Sequence, residues 1–160
     1  MNFLDHINKK NIFLVFTIIT IFLIDRLTKI QIINHQIDNS RIFVNNYLNL
    51  ELVWNTGIGF GLLSMNAGII YNLISAFIFL ILIFLIYLII NSNFTEKFLL
   101  SMIFAGASGN LFDRIFYYAV PDFIDFHINN FHWFTFNIAD IFISIGIIMI
   151  VLKDFLFKKP

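Results

Sequence analysis

Hydrophobic residues are grouped in four long stretches, separated by shorter segments that hold most of the polar residues. A helix needs about 20 apolar residues to cross a hydrocarbon core of ~30 Å. The stretch over residues 68–90 is the clearest, because it carries no charge and only Asn72 and Ser75 as obvious polar residues. The pattern predicts four membrane spans, at about residues 10–33, 68–90, 98–116 and 138–157.

A different period occurs between the first two spans. Apolar and polar residues alternate over residues 47–54, which is typical of a strand, so we expect a small sheet on the membrane face. Residues 123–136 mix aromatic rings with polar side chains, as the headgroup region favours. The predicted fold is an all-α membrane protein, a single domain over residues 1–160. It is a four-transmembrane-helix bundle with a small extracytoplasmic β segment and an outer interfacial segment.

Composition supports a membrane protein and excludes several other classes. Of 160 residues, 59% are hydrophobic and 12% are charged, whereas a soluble domain is about one quarter charged. The formal net charge is zero and no segment carries a basic stripe, so nucleic acid is not an expected partner. The absence of cysteine excludes disulfides, thiol nucleophiles and thiolate metal sites.

The distribution of basic residues predicts the orientation in the membrane, because cytoplasmic loops are enriched in Lys and Arg. With the N-terminus inside, the cytoplasmic cations are Lys9, Lys10, Lys97, Lys153, Lys158 and Lys159, and the opposite ones are Arg26, Lys29, Arg41 and Arg114. Both termini are therefore predicted to be cytoplasmic. The first apolar run could also be a signal peptide, although no small-residue cleavage site follows it.

In this orientation, unusual polar residues from separate segments meet at the outer ends of the helices. Asp25 and Lys29 have the spacing of a helix surface pair, which could neutralise itself in lipid or support a site. Asn110 shares a helix face with Arg114. The Arg114 guanidinium could extend to the interface or hold a carboxylate or carbonyl oxygen.

Two carboxylates, Asp122 and Asp140, lie on either side of the aromatic segment that precedes the last span. Acids beside a membrane segment indicate function, and a pair can divide the acid and base roles that amide hydrolysis needs. Asn137 is a good helix N-cap, and Asp140 would face the positive end of the helix dipole. That position could be simple capping, or it could keep Asp140 ionised. We assign water activation to Asp140 and the protonated role to Asp122.

Other chemistries find less support in the sequence. Asp113 and Asp125 are further acids that could take part directly, and His127 and His132 could be imagined as metal ligands. Such histidines are more often interfacial, and the HExxH and GxSxG motifs are absent, so no metal is predicted. An ion- or proton-coupled transporter is the second hypothesis, although transporters usually place polar groups near the midplane. A structural or assembly protein, in which the acids are incidental, is the third.

Five motifs resemble those of the lipoprotein signal peptidase family, also called signal peptidase II, and they come in the family's order. Residues 25–29 (DRLTK) match D-x-x-x-K, and residues 55–60 (NTGIGF) match N-x-G-x-x-F. Residues 106–114 (GASGNLFDR) are similar to G-G-x-x-G-N-x-x-D-R. Residues 120–125 (VPDFID) and 136–140 (FNIAD) resemble V-V-D-F and F-N-x-A-D.

The resemblance implies an aspartyl endopeptidase of the bacterial cytoplasmic (inner) membrane, with Asp122 and Asp140 as its catalytic pair at the outer face. It would remove signal peptides from prolipoproteins, cutting before a cysteine that carries diacylglycerol. The supporting residues that it implies are Asp25, Lys29, Asn55, Gly57, Asn110, Arg114 and Asn137. The expected partners are the diacylglyceryl-prolipoprotein, membrane lipid and globomycin-like cyclic peptide inhibitors. No cofactor is implied, and we expect a monomer.

Some positions depart from the family's pattern. Pro121 replaces an aliphatic residue just before the first catalytic acid, where it removes a backbone donor and fixes φ. Ile58 and Gly59 stand where two alanines are usual, and Gly61 where serine is common. Arg26 occupies a position often held by glutamine. These departures are expected to affect loop geometry and substrate tolerance rather than the chemistry.

Overall fold

The computed structural model describes residues 8–35, 41–57, 68–129 and 131–157, so Ile58, Gly59 and Gly61 lie outside the described residues. The helices are α1 (Lys9–His35), α2 (Ile69–Asn91), α3 (Phe94–Tyr117) and α4 (Ile138–Phe157). The strands are β1 (Ile42–Asn45), β2 (Leu48–Asn55), β3 (Val120–Ile128) and β4 (Phe131–Phe136). Each apolar stretch of the sequence therefore coincides with one helix.

Helix α3 is the central helix, because it packs against α1, α2 and α4. Small residues allow α3 and α4 to approach closely. A Cβ added at Gly106 would lie 2.5 Å from the carbonyl oxygen of Ala139, and one added at Gly146 would lie 2.6 Å from Cγ1 of Ile103. The first turn of α4 is thus held directly against α3, which matters because Asp140 lies in that turn.

The outer surface of the bundle is apolar. Among the described residues, α1 and the Tyr71–Asn91 part of α2 have the length and hydropathy of a membrane span. Large side chains such as Phe16, Phe77 and Phe155 are exposed on this surface. An exposed apolar surface of this extent is typical of contact with lipid. That α3 and α4 also cross a membrane stays a prediction.

The sheet is larger than the sequence predicted. Its four strands are antiparallel in the order β1-β2-β3-β4, and β2 pairs with β3 so that Val53 faces Asp122 and Asn55 faces Val120. The all-α description was therefore incomplete: the outer segment that was predicted to be interfacial forms the two strands β3 and β4, and Asp122 lies in β3. Aromatic residues favour strands when partner strands are present. The partner of β3 is β2, which is distant in the sequence, so the local pattern does not reveal the pairing.

Candidate active site

Asp122, on β3, and Asp140, in the first turn of α4, line the same cavity. The cavity has a volume of about 420 Å³ and lies among α2, α3, α4 and the ends of β2 and β3. Asn55, Asn110 and Arg114 contribute its other strongly polar groups, and most of the remaining lining is aliphatic. The two acids that the sequence singled out are therefore brought together in one largely apolar space.

Asn137 connects the two acids. Its side-chain Nδ2 donates to Asp122 Oδ1 at 2.6 Å, and its backbone N–H donates to Asp140 Oδ2 at 3.1 Å. Its Oδ1 accepts from the backbone N–H of Asp140 at 3.1 Å. The last two bonds form a reciprocal cap at the start of α4, in which the residue at the third helical position returns to the N-cap. Capping and acid placement are thus one arrangement.

Asn110 holds Asp140 from the side of α3. Its Nδ2 donates to Asp140 Oδ1 at 2.8 Å. Its Oδ1 accepts from Lys29 Nζ at 3.0 Å and from Asn137 Nδ2 at 3.2 Å. Because two donors occupy the amide oxygen, the amide group is turned so that its NH₂ faces Asp140.

Asp25 and Lys29 support the site from α1. Lys29 Nζ donates to Asp25 Oδ2 and to Asp113 Oδ2, both at 2.7 Å. Asp25 Oδ1 accepts from the backbone N–H of Ala139 at 2.9 Å, which satisfies a free donor at the start of α4. All three charged side chains are fully buried, so the reading of Asp25 and Lys29 as a lipid-facing pair is wrong.

The segment after β2 is held by two side chains. Asn55 Nδ2 donates to Asp122 Oδ2 at 2.9 Å, while its Oδ1 accepts from Gly57 N–H at 2.9 Å. Arg114 donates to the carbonyl oxygens of Gly57 at 3.0 Å and Asn110 at 3.1 Å. Arg114 is buried, so the interpretation that it extends to the interface is wrong.

The surroundings of Asp122 favour a proton on its carboxyl group. Burial and, to a smaller extent, the nearby charge of Asp140 together raise the pKa of Asp122 to about 7, against the opposing effect of hydrogen bonds from Asn55 and Asn137. An aspartate ordinarily titrates near ~4. Asp122 is therefore able to hold a proton near neutral pH, which fits the role that the sequence assigned to it.

The remaining candidate acids are engaged elsewhere. Asp113 accepts from Lys29 and Arg26, and Asp125 accepts from His132 Nδ1 at 2.8 Å and from Asn49 at 3.2 Å. Burial raises the pKa of Asp125, but the hydrogen bonds from His132 and Asn49 outweigh it and leave that pKa below its usual value. Neither acid lines the cavity of Asp122 and Asp140. No group of three or more metal-ligating side chains was found among the described residues.

Comparisons with known proteins agree with the motifs. The profile of the family described as "Signal peptidase (SPase) II" matches residues 17–156. The chain belongs to the signal peptidase II family. A lipoprotein signal peptidase of Pelagibacter ubique (strain HTCC1062) is 43% identical over 159 residues, covering 98% of this chain and 96% of the relative.

Other members of the signal peptidase II family and solved structures extend the comparison. A lipoprotein signal peptidase of Thermodesulfovibrio yellowstonii is 38% identical over 138 residues, covering 86% of this chain and 91% of the relative. A solved structure described as a "Bacterial membrane enzyme structure" at 2.3 Å resolution superposes with a TM-score of 0.78 at 32% identity. That match covers 91% of each chain. The fold described above is thus similar to that of a bacterial membrane enzyme.

Two features of this candidate site were not found from the sequence. Ser144, one helical turn beyond Asp140, lines the large cavity and a second cavity of about 260 Å³. Its spacing from Asp140 was a signal that could have placed it on the same helix face. The aliphatic lining residues from α2, such as Ile78, carry no signal that separates them from ordinary lipid-facing residues.

Proposed function

We propose that this member of the signal peptidase II family is a membrane aspartyl endopeptidase that removes signal peptides from prolipoproteins, with Asp122 and Asp140 as its catalytic pair. One observation carries the assignment: the two acids line one cavity and are hydrogen-bonded to the same residue, Asn137. Paired acids in unlike surroundings are the arrangement by which hydrolases split acid and base roles.

The proposed reaction needs only these two carboxyl groups and water. Ionised Asp140 takes a proton from the attacking water as its oxygen bonds to the scissile carbonyl carbon, while Asp122 gives its proton to the carbonyl oxygen. In the second step the protonated Asp140 gives its proton to the leaving nitrogen, and the C–N bond breaks. Asp122 then takes back a proton as the new carboxyl group forms. The pair ends in its starting state.

The supporting residues receive roles from their contacts. Asn110 and Asn137 position Asp140 and Asp122 through the bonds described above. Asn55 holds Asp122 in the resting enzyme and lies on the outer connection, so it is the residue we assign to contact with the substrate backbone. Arg114 holds the backbone at Gly57 in place. Asp25, paired with Lys29, holds the first turn of α4 through its bond with the Ala139 N–H.

The substrate we propose is a prolipoprotein that carries diacylglycerol on the cysteine after the cleavage site. The aliphatic lining contributed by α2, α3 and α4 supports this choice, because acyl chains and an apolar signal helix need an apolar surface near the acids. Membrane lipid surrounds the bundle in this proposal, and the enzyme acts as a monomer. Globomycin-like cyclic peptides are expected to inhibit it by occupying the same cavity.

The proposed arrangement has four spans, cytoplasmic termini and an active site at the outer face of the bacterial inner membrane. The shortest helix, α4, has 20 residues, which at ~1.5 Å per residue is sufficient for a ~30 Å core. Of the four basic residues assigned to the outer side, Arg26, Lys29 and Arg114 are buried and Arg41 pairs with Glu51. On the other side, Lys9 and Lys10 are exposed at the start of α1 and Lys153 pairs with Glu96, which supports the proposed orientation.

The test compares purified wild-type enzyme with D122N and D140N on a diacylglyceryl-prolipoprotein and on the same protein without lipid. Wild type should shorten only the lipidated substrate, and a globomycin-like peptide should stop it. Both variants should lose cleavage while keeping the thermal stability of a folded protein. Cleavage at the wild-type rate by either variant would reject the catalytic pair, and it would favour a membrane protein in which these acids are incidental.

A further inference from the structure

Arg26 is a charged side chain of the buried network on α1 and α3 to which no role has been given above. Its guanidinium forms an ion pair with Asp113. It also lies over two aromatic rings of α3, 4.7 Å from the centroid of Phe112 and 5.6 Å from that of Tyr117. Both partners of the ion pair are buried. Arg26 is thus fixed in place on one side of the network.

The network has balanced charge only when Arg26 is included. It contains two carboxylates, Asp25 and Asp113, and two cations, Arg26 and Lys29. Lys29 divides its three N–H donors between the two carboxylates and the amide oxygen of Asn110. Without the cation at position 26, Asp113 would have Lys29 as its sole ionic partner, and the cluster would carry one net negative charge.

The network leads directly to the acid pair. Lys29 reaches Asn110, and Asn110 donates to Asp140. The other charged groups that act on the pair are Asp25 from α1 and Arg114 from α3. A change in the charge of the cluster is therefore felt by the acids through Lys29 and Asn110.

We propose that Arg26 is a positioning residue for catalysis: by sharing Asp113 with Lys29, it keeps the network neutral while Lys29 donates to Asn110, and so sets the charge that the acid pair experiences. The proposal rests on the proposed function, because it concerns how the same pair works. Arg26 does not touch the cavity, so its effect is expected on the pH dependence of cleavage rather than on substrate affinity.

The experiment measures cleavage of a lipidated prolipoprotein as a function of pH for wild type, R26Q, R26K and the double variant R26Q/D113N. Loss of a positive charge makes deprotonation of the pair harder. R26Q should therefore shift the whole profile to higher pH, by about half a unit, with KM unchanged. R26K keeps the charge and should keep the wild-type profile. In R26Q/D113N the network is neutral again, so its pH profile should return towards that of wild type.

Arg41→Gln is the matched control, because Arg41 is the outer cation that lies away from the network in an exposed pair with Glu51. Its profile should coincide with that of wild type. An R26Q profile at the wild-type position would overturn the proposal, as would an equal shift in Arg41→Gln. A lower melting temperature in R26Q with no shift, or a double variant shifted further than R26Q, would show that Arg26 only packs. Failure of the proposed function is separate, since wild type would then not cleave the substrate.

Discussion

Substitution of Asn137 tests the central feature of the site, the residue that caps α4 and joins the two acids. The Asn137 side chain takes part in three hydrogen bonds, with Asp122, with Asn110 and with the backbone N–H of Asp140. Asn137→Ala removes all three bonds. Asn137→Ser removes the first two but keeps a hydroxyl that can cap the helix, since serine is a good N-cap.

The two variants should differ in stability and agree in activity. A buried hydrogen bond and a helix cap each contribute about 1 kcal/mol. The free energy of unfolding should therefore fall by about 3 kcal/mol in the Ala variant and by about 2 kcal/mol in the Ser variant. Both variants lose the bond from the residue 137 side chain that positions Asp122 relative to Asp140. Misplacing a catalytic group by about 1 Å lowers the rate of the reaction about 100-fold. Cleavage should thus be slowed about 100-fold in both.

The assay combines thermal unfolding in detergent with the initial rate of prolipoprotein cleavage at equal amounts of folded enzyme. Asn91→Ala is the control, because Asn91 donates to a backbone carbonyl at the exposed end of α2. It should change neither quantity. If Asn137→Ser cleaved at the wild-type rate, the connection between the two acids would not matter for catalysis, and the reasoning would be refuted.

Three further predictions concern other parts of the molecule. Because the folded-state pKa of Asp122 is raised to about 7 from 3.8, its contribution to stability is present at low pH and is lost as the pH rises from 4 to 7. In wild type, the free energy of unfolding measured with denaturant should fall over this pH range, and in D122N this fall should be smaller by roughly 2–4 kcal/mol. An equal fall in D122N would contradict the raised pKa. A Cβ at Gly109 would lie 2.6 Å from Oδ2 of Asp25. Gly109→Ala should therefore reduce cleavage more than Gly146→Ala, which adds a methyl group between α3 and α4 at a place far from the charged network. Equal losses of cleavage in the two variants would show that contact with Asp25 does not matter for activity. D125N should cleave the substrate at the wild-type rate. If D125N lost cleavage while remaining folded, Asp125 would take part in the reaction.

The helices could be predicted because lipid imposes a simple rule on sequence. The uninterrupted apolar run from 68 to 90 leaves little choice but a helix long enough to span, and α2 occupies Ile69–Asn91. Strands β3 and β4 were missed for a physical reason. Their aromatic residues suit both the membrane interface and a strand. They form strands here because β3 pairs with β2, which is distant in the sequence.

The sequence predicted that these polar residues come together, and several of them line one cavity, but it did not predict their connections. Asn137 and Asp140 have the spacing of a reciprocal cap, so their mutual bonds follow from the sequence. The bond from Asn137 to Asp122 does not, because it depends on where β3 lies relative to α4. The bond from Asp25 to the Ala139 N–H likewise depends on the packing of α1 against α4.

The pairing of β2 with β3 has a consequence for biosynthesis. Asn55 and Asp122 are 67 positions apart, and α2 and α3 lie between them in the chain. The contact between them therefore forms only after both intervening helices have been made, and the second acid follows later still. A nascent chain that stops before α4 lacks Asp140 and therefore one acid of the proposed pair. In the proposed function, cleavage activity is therefore acquired only once α4 has been made and has packed against α3.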